Sequence, residues 1–557
     1  MDTKFKMAVT KNNISEFLPE VAEQYPDRTA LVCVKRRGNK SEYPSITFRQ
    51  LNTLSDSFAC EIRRNGVRKG MKVLLMLRPG FDFIAATFAV FKTGAIPVLI
   101  DPGMGIRNLL GCVRKTAPDA MLAIPKAHWI ALLFPGTFNN IKMKLSTGGG
   151  ITPPGVKRLH TDANDAKSAE IEKTSPDEMA AIVFTTGSTG APKGGIYTHK
   201  IYVTQLQIIK EEYGAGPSET DMPAFPLFAL FSAALGMKSV IPDFNPSRPA
   251  EADPAQIVRI IEDNNVTFSF ASPTLWRNVS DYCIRNGIRL KTLRKALMAG
   301  APVPALVHAN MKKIMPDGGE TIVPYGATEC LPIANFTGSE MLAETAADTE
   351  NGKGYCVGRP IKGITIKVIS PSDSEVEKWN DNLILADGKI GEIAVSGPVV
   401  TPEYYNEPEH TKNAKIADPS GFVWHRIGDT GYFDEKGRLW FTGRKTHRIS
   451  TKNGILYPVR CEAIFNRHPD VLRSALVGAG GKGMQTPVLI VEPRRGKMPR
   501  NISERKNFIA DLERLAGTSP LTIGINKFLF HPSFPVDIRH NAKIFREKLA
   551  IWAAGKI

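Results

Sequence analysis

The chain has 557 residues, 42% of them hydrophobic and 23% charged, with a formal net charge of +17. This length exceeds one ordinary domain, and the balance is that of a soluble globular protein, which excludes disordered and fibrous classes. Seven scattered cysteines without a C-x-x-C pair argue against a disulfide framework and fit reduced thiols in a cytoplasm.

The opening MDTKFKMAVTKNNISEF carries no apolar signal core. Residues 14–30 read as a helix, followed by a strand at 29–34. Residues 72–77 read as a strand, 81–93 as a helix, and 95–100 as a strand ending at Asp101-Pro102-Gly103. This alternation predicts parallel α/β layers. The apolar region 81–100 is broken by Asp82, Lys92 and Pro97, so at most a peripheral membrane contact is expected. The section 136–178, with Gly148-Gly149-Gly150 and Pro153-Pro154, reads as a surface connection.

That connection leads into Ala180-Ala181-Ile182-Val183-Phe184, a short bounded apolar run that reads as a buried strand. Residues 185–195, TTGSTGAPKGG, follow it directly. Glycines let backbone N–H groups turn towards an anion, hydroxyls add donors, and Lys193 adds a point charge. This is phosphate-binding chemistry, although a solvated turn has the same composition. It is not the P-loop of common NTPases, because Lys193 is followed by Gly194 rather than Ser or Thr.

Residues 212–221 read as another loop. The run Phe225-Pro226-Leu227-Phe228-Ala229-Leu230-Phe231 is suited either to core packing or to the wall of an acyl pocket. Residues 269–273 and Leu275-Trp276 are suited to the same cleft. After Thr442 the chain becomes more basic, with its clearest cluster at Arg494-Arg495-Gly496-Lys497. No aromatics interleave with that cluster, so nucleic acid is not an expected partner. A solvated face, or a docking face for an acidic protein or phospholipid surface, remains.

Further along stand Ala299-Gly300-Ala301-Pro302, Tyr325-Gly326-Ala327-Thr328-Glu329, Gly428-Asp429-Thr430-Gly431-Tyr432, Gly443-Arg444 and Asn541-Ala542-Lys543. In this order and spacing the set resembles the acyl-adenylate-forming enzymes: acyl-CoA synthetases, luciferases and peptide-synthetase adenylation domains. The resemblance covers nearly the whole chain. It implies an α/β fold with a large N-terminal core of layered sheets at 1–443, a hinge at 444–446 and a small mobile α/β lid at 447–557. It implies ATP and Mg²⁺ as cofactors. Thr185, Thr186, Gly187, Ser188, Thr189, Gly190 and Lys193 would surround the β- and γ-phosphates. Thr328 would contact the α-phosphate and Glu329 would ligate Mg²⁺. Gly300, Ala301, Pro302, Tyr325 and Gly326 would pack around adenine. Asp429 would accept from the ribose hydroxyls with Arg444 assisting, and Lys543 would reach in from the lid to the reacting carboxylate.

Three departures separate this chain from the acyl-CoA synthetases it resembles. They commonly carry His where Ala229 stands, Asp or Lys where Thr446 stands, and a Gly-Gly pair ahead of Tyr457-Pro458. Those elements border the path of CoA. The stretches VPYGATECLPIA, FPLFALFSAALGMKSVIPDFNPSRPAEADP, GRLWFTGRKTHRI and FPVDIRHNAKIFREKLAIWAA resemble instead the β-lactone synthetase branch of bacterial long-chain olefin biosynthesis. That branch implies a fatty-acid-derived substrate, a 2-alkyl-3-hydroxy acid whose own hydroxyl closes the ring after adenylation. A long-chain acyl-CoA synthetase or fatty acyl-AMP ligase is the alternative. The implied pathway neighbours are a ketoreductase and a hydrolase-fold β-lactone decarboxylase. The base for ring closure stays open among His425, His447, His540, Arg539 and the AMP phosphate.

Overall fold

The structure is a computed structural model that describes residues 11–38, 40–159, 168–185, 191–537 and 543–557. Two sheets dominate the first 444 residues. Among the described residues the smaller has seven strands, and its middle is parallel, with Lys72–Met76 between Ile96–Leu99 and Ala120–Ala123. It ends on β1 (Met179–Phe184), which runs parallel to Ile96–Leu99, and on β2 (Gly194–Thr198), which runs antiparallel to β1. The strands expected at 72–77, 95–100 and 180–184 form there, and the helix expected at 81–93 is Phe81–Lys92. Antiparallel pairings correct the expectation of parallel layers: β1 with β2, Thr29–Cys33 with Ser45–Thr47, and the later strands of the large sheet.

The large sheet has 14 strands among the described residues. After α1 (His199–Tyr213), the strand β3 (Thr220–Pro223) enters it, so residues 220 and 221 are not loop as the sequence suggested. The short helix α2 (Phe228–Ala234) follows. Strands β3, β4 (Phe268–Ala271), β5 (Lys295–Met298) and β6 (Glu320–Ala327) lie side by side and parallel. Their carboxyl ends point the same way, which is where open α/β sheets bind ligands. The helix Pro273–Asn286 starts at this edge. Ser272 caps it by accepting from the Leu275 N–H at 3.3 Å, with Pro273 in the first turn. The sheet then turns antiparallel through β7 (Cys330–Thr337), β8 (Gly391–Ser396), β9 (Val423–Phe433) and β10 (Leu439–Arg444).

Residues from 449 onward build their own sheets. In the larger, β11 (Val471–Ala479) pairs antiparallel with β12 (Thr486–Pro493), which pairs parallel with β13 (Phe528–Phe530). Alternation along the strands buries both faces. Leu476, Leu489 and Val491 pack under Phe465 and Leu512, while Val477, Val488 and Ile490 pack under α3 (Arg546–Ala554) through Leu549 and Ala553. No helix among the described residues is long and apolar enough to cross a membrane.

Candidate functional site

The Gly-rich segment is the connection of the β1–β2 hairpin. Its neck is closed by two hydrogen bonds: the Thr185 N–H donates to the Lys193 carbonyl at 2.9 Å, and the Lys193 N–H donates to Thr185 Oγ1 at 3.3 Å. Thr186, Gly187, Ser188, Thr189 and Gly190 lie outside the described residues. A second segment lies along β2. The Tyr405 N–H donates to the Gly194 carbonyl at 2.7 Å, and the Ile196 N–H donates to the Glu403 carbonyl at 3.1 Å. Tyr404 is thereby held beside Lys193, whose Nζ sits 5.3 Å from the centre of its ring.

Tyr404 joins Lys193 to Glu329. Thr328 and Glu329 form the turn between β6 and β7, and the Tyr404 hydroxyl donates to Glu329 Oε1 at 2.6 Å. The Tyr197 hydroxyl donates to the Thr328 carbonyl, and the Thr401 N–H donates to the Glu329 carbonyl at 2.8 Å. The turn leaves no room for a side chain at Gly326, where a Cβ would meet the Cys330 carbonyl oxygen at 2.5 Å. Behind Glu329, Lys415 is buried, donates to Thr401 Oγ1 at 3.1 Å and lies 5.9 Å from the Tyr404 ring centre. Burial pulls its ammonium down to about 8, against the opposing pull of Cys330 and Glu329. Tyr404 and Lys415 escaped the sequence reading because neither stands in a motif. They reach the site only because 403–405 docks on β2 and because the strand Lys415–Ala417 pairs with β9.

Asp429 stands in β9 directly opposite Arg444 in β10. Its Oδ2 accepts from the Tyr325 hydroxyl at 2.7 Å, and its Oδ1 lies 2.9 Å from an Arg444 nitrogen. Tyr325 comes from β6, so three strands converge on one carboxylate. Asp429 raises the Arg444 pKa, while burial and then Asp429 push the Tyr325 phenol up. Gly300 turns the chain after β5 at φ +96°, a conformation that disfavours any side chain, and Ala301-Pro302 follow. The expected Glu329 and Asp429 groups are thus both on the carboxyl edge of the sheet, linked through β6.

Lys543 belongs to the C-terminal unit. Its carbonyl accepts from the Asp537 N–H at 2.9 Å, next to the bridge between Val536 and Ile544. His540 and Arg539 lie outside the described residues. His425 is buried, with Nδ1 3.2 Å from the Ala414 carbonyl, and burial then Lys415 hold it well below its ordinary pKa. His447 faces Glu547 at 3.0 Å.

Beside this edge a cleft runs between the sheet and helices α1 and α2. Phe228, Phe231, Phe268, Phe270 and Leu297 line it, with the Phe228 and Phe270 rings stacked 4.0 Å apart. Its wall includes Pro324, Leu331 and Pro332, which flank the turn bearing Thr328 and Glu329. An apolar tail lying here would have its head at the charged cluster. Ala229, expected in this stretch, is fully buried in α2.

A model of the AMP-binding enzyme family matches residues 18–405. The chain is 42% identical to the olefin beta-lactone synthetase of Xanthomonas campestris over 97% of each protein. It is 27% identical to a long-chain-fatty-acid–CoA ligase of Thermus thermophilus, over 98% of this chain and 94% of that one. Among solved structures, the O-succinylbenzoate coenzyme A synthetase of Bacillus subtilis in complex with ATP and magnesium superposes with a TM-score of 0.73. That match spans 96% of this chain and 98% of the other at 20% identity, a likeness of fold.

Proposed function

Because the chain belongs to the AMP-binding enzyme family, we propose that it is an AMP-forming ligase that makes β-lactones from 2-alkyl-3-hydroxy fatty acids. The observation that carries this reading is the near-full-length match to an olefin beta-lactone synthetase at 42% identity, against 27% to the CoA ligase. The residues around the sheet edge suit the chemistry.

A carboxylate is a poor electrophile until it carries a good leaving group. In the first step the carboxylate oxygen attacks the α-phosphorus of ATP, and pyrophosphate leaves. Such transfers depend on positioning and charge stabilisation. We assign Lys193 and the 185–190 loop to the β- and γ-phosphates, Thr328 to the α-phosphate, and Asp429 with Arg444 to the ribose. Gly300, Ala301, Pro302, Tyr325 and Gly326 are assigned to adenine, and Lys543 to the reacting carboxylate after movement about 444–446. Among the described residues no group of three or more His, Cys, Asp or Glu side chains is placed to hold a metal. Magnesium commonly takes one or two carboxylates plus substrate phosphates, and we assign Glu329, in the turn with Thr328, as its protein ligand. Magnesium, when bound, offsets phosphate charge.

In the second step the 3-hydroxyl oxygen attacks the acyl carbonyl. A C–O bond closes the four-membered ring, the bond to AMP breaks, and the hydroxyl proton departs. The nucleophile is tethered to its electrophile, so no second substrate needs a channel. His425 is kept neutral but is buried against the Ala414 carbonyl, and His447 is engaged with Glu547. We leave the proton to the AMP phosphate or to the 539–540 segment. We place the enzyme in the cytoplasm, where its seven free thiols stay reduced. A ketoreductase would supply its substrate, and a hydrolase-fold β-lactone decarboxylase would consume its product.

The test is to mix the protein with MgATP and a synthetic 2-alkyl-3-hydroxy acid, with and without CoA, and follow products by room-temperature NMR. A β-lactone with AMP and no need for CoA is expected. AMP release only with CoA, giving a thioester, would move the protein to the acyl-CoA synthetases.

A further inference from the structure

The cleft beside the proposed nucleotide site is lined mostly by apolar side chains, with Gln205, Tyr213, Asp221 and Ser232 as its polar members. Asp221 of β3 is 2% exposed, and its Oδ2 accepts from the Ser232 hydroxyl of α2 at 2.5 Å. Among the described residues, Asp221 Oδ1 has no hydrogen-bond partner, and neither has the buried hydroxyl of Tyr213 at the end of α1. Both side chains line the same cleft as Phe268 and Phe270. Two buried polar atoms without a protein partner thus belong to side chains that line one mostly apolar cleft.

Their depth follows from strand register. Asp221 is level with Phe268, Phe268 with Lys295, and Lys295 with Glu320. Tyr325, the partner of Asp429, stands five residues further along β6, about 17 Å away at ~3.4 Å per residue. Asp221 therefore lies at the inner end of the cleft, far from any carbonyl held at the Thr328 turn, and it is not placed to act on the 3-hydroxyl. Buried polar atoms without a protein partner are satisfied by water or by a ligand oxygen, and stripping that oxygen away is costly. An alkyl terminus pushed against them would do so.

We propose that Asp221 and Tyr213 form a polar stop at the inner end of the acyl cleft, which limits the length of an alkyl arm and takes only water or a hydroxyl as its neighbour. This rests on the reading that the cleft holds the chain of the acid being adenylated. Burial pushes the Asp221 carboxyl up to about 7, so near neutrality both the protonated form, which can donate to such an oxygen, and the ionised form, which accepts from it, are populated.

The experiment measures AMP release from 2-alkyl-3-hydroxy acids with one arm lengthened stepwise, each ending in a methyl or a hydroxyl. Wild type should lose at least tenfold in kcat/KM over the few carbons at which the arm reaches the stop. At that length the hydroxyl-ended acid should outperform its methyl twin. Asp221→Leu should move the fall-off to longer arms and reverse the preference, while Asp221→Asn, which keeps a polar floor, should leave the fall-off in place. An unchanged length profile and preference in Asp221→Leu, with folding verified by thermal unfolding, overturns the proposal. If that variant does not fold, Tyr213→Phe serves: it should weaken the hydroxyl preference, and an unchanged preference overturns the proposal equally. The readout is separable from the ring-closing step, because a thioester product in place of a lactone would refute the synthetase reading and leave the length profile standing. Release of AMP from no acid at any length would sink both.

Discussion

Tyr404 shows how much one unannounced side chain can organise. Its hydroxyl bonds Glu329, its ring lies beside Lys193, and burial with the nearby Glu329 charge keeps it un-ionised. Removing the hydroxyl in Tyr404→Phe leaves Glu329 short of a charge-assisted bond worth about 1.5–3 kcal/mol. Adenylation should fall by roughly 10- to 100-fold, with a raised magnesium requirement in a titration of AMP formation. An unchanged magnesium dependence would separate Tyr404 from the metal. Asp221 gives a second test at this scale. Burial pushes its carboxyl up from an ordinary 3.8 to about 7. Between those values the native protein holds a proton that the unfolded chain has lost, so this group's contribution to stability falls as pH rises from about 4 to about 7 and is level above. Asp221→Asn has no such dependence. The unfolding free energy of wild type relative to that variant should drop by up to about 4 kcal/mol between pH 4 and 8 in urea titrations. A flat difference would mean the native carboxyl is ionised throughout.

At the scale of elements, the packing of helix Phe48–Arg64 on helix Phe81–Lys92 is fastened by a buried cation. Lys92 is fully buried, and its Nζ donates to Asn52 Oδ1 at 2.8 Å, Ser55 Oγ at 2.7 Å and Asp56 Oδ1 at 2.6 Å. Burial lowers its pKa while Asp56 raises it. Lys92→Ala leaves Asp56 buried and uncompensated and should cost about 3–5 kcal/mol of stability. Replacing both, as Lys92→Met with Asp56→Leu, should cost far less, and chemical denaturation of the pair distinguishes the two. The sequence read Lys92 as a break in an apolar run, which excluded a membrane span but gave no sign that it is fully buried. Strand β3 was missed for a related reason. Asp221 and Pro223 are turn formers by local preference, and only the flanking strands Lys238–Ile241 and β4 draw 220–223 into the sheet.

At the scale of the molecule, the C-terminal unit is tied to the rest by polar contacts. Arg448 pairs with Asp373 at 2.8 Å, Lys482 with Asp373, and the Arg460 Nε donates to the Gly352 carbonyl at 2.7 Å, while in the connecting segment Lys445 pairs with the buried Glu392 at 2.8 Å. Contacts of this kind are weak where exposed and are screened by salt. Asp373→Ala should remove two of the ties and speed protease cleavage near residues 444–448 by several-fold at low salt, less so at high salt. Cleavage at the wild-type rate would show that Asp373 does not hold this pose.

The order of the motifs and the family were legible in the sequence because short turns rich in Gly, Thr and Asp are set by local spacing. Thr185 and Lys193 close the neck of one hairpin, and Thr328 and Glu329 share one turn, so local sequence suffices to place them. The 42% identical relative agrees with the branch that the longer stretches indicated. Tertiary structure alone decided which distant residues join them. Tyr404 and Lys415 reach Glu329 through docking of the 403–405 segment and pairing along β9, and Asp221 reaches the apolar cleft through strand register. No local pattern encodes such neighbours, because a buried partner is chosen by the packing of elements remote in sequence.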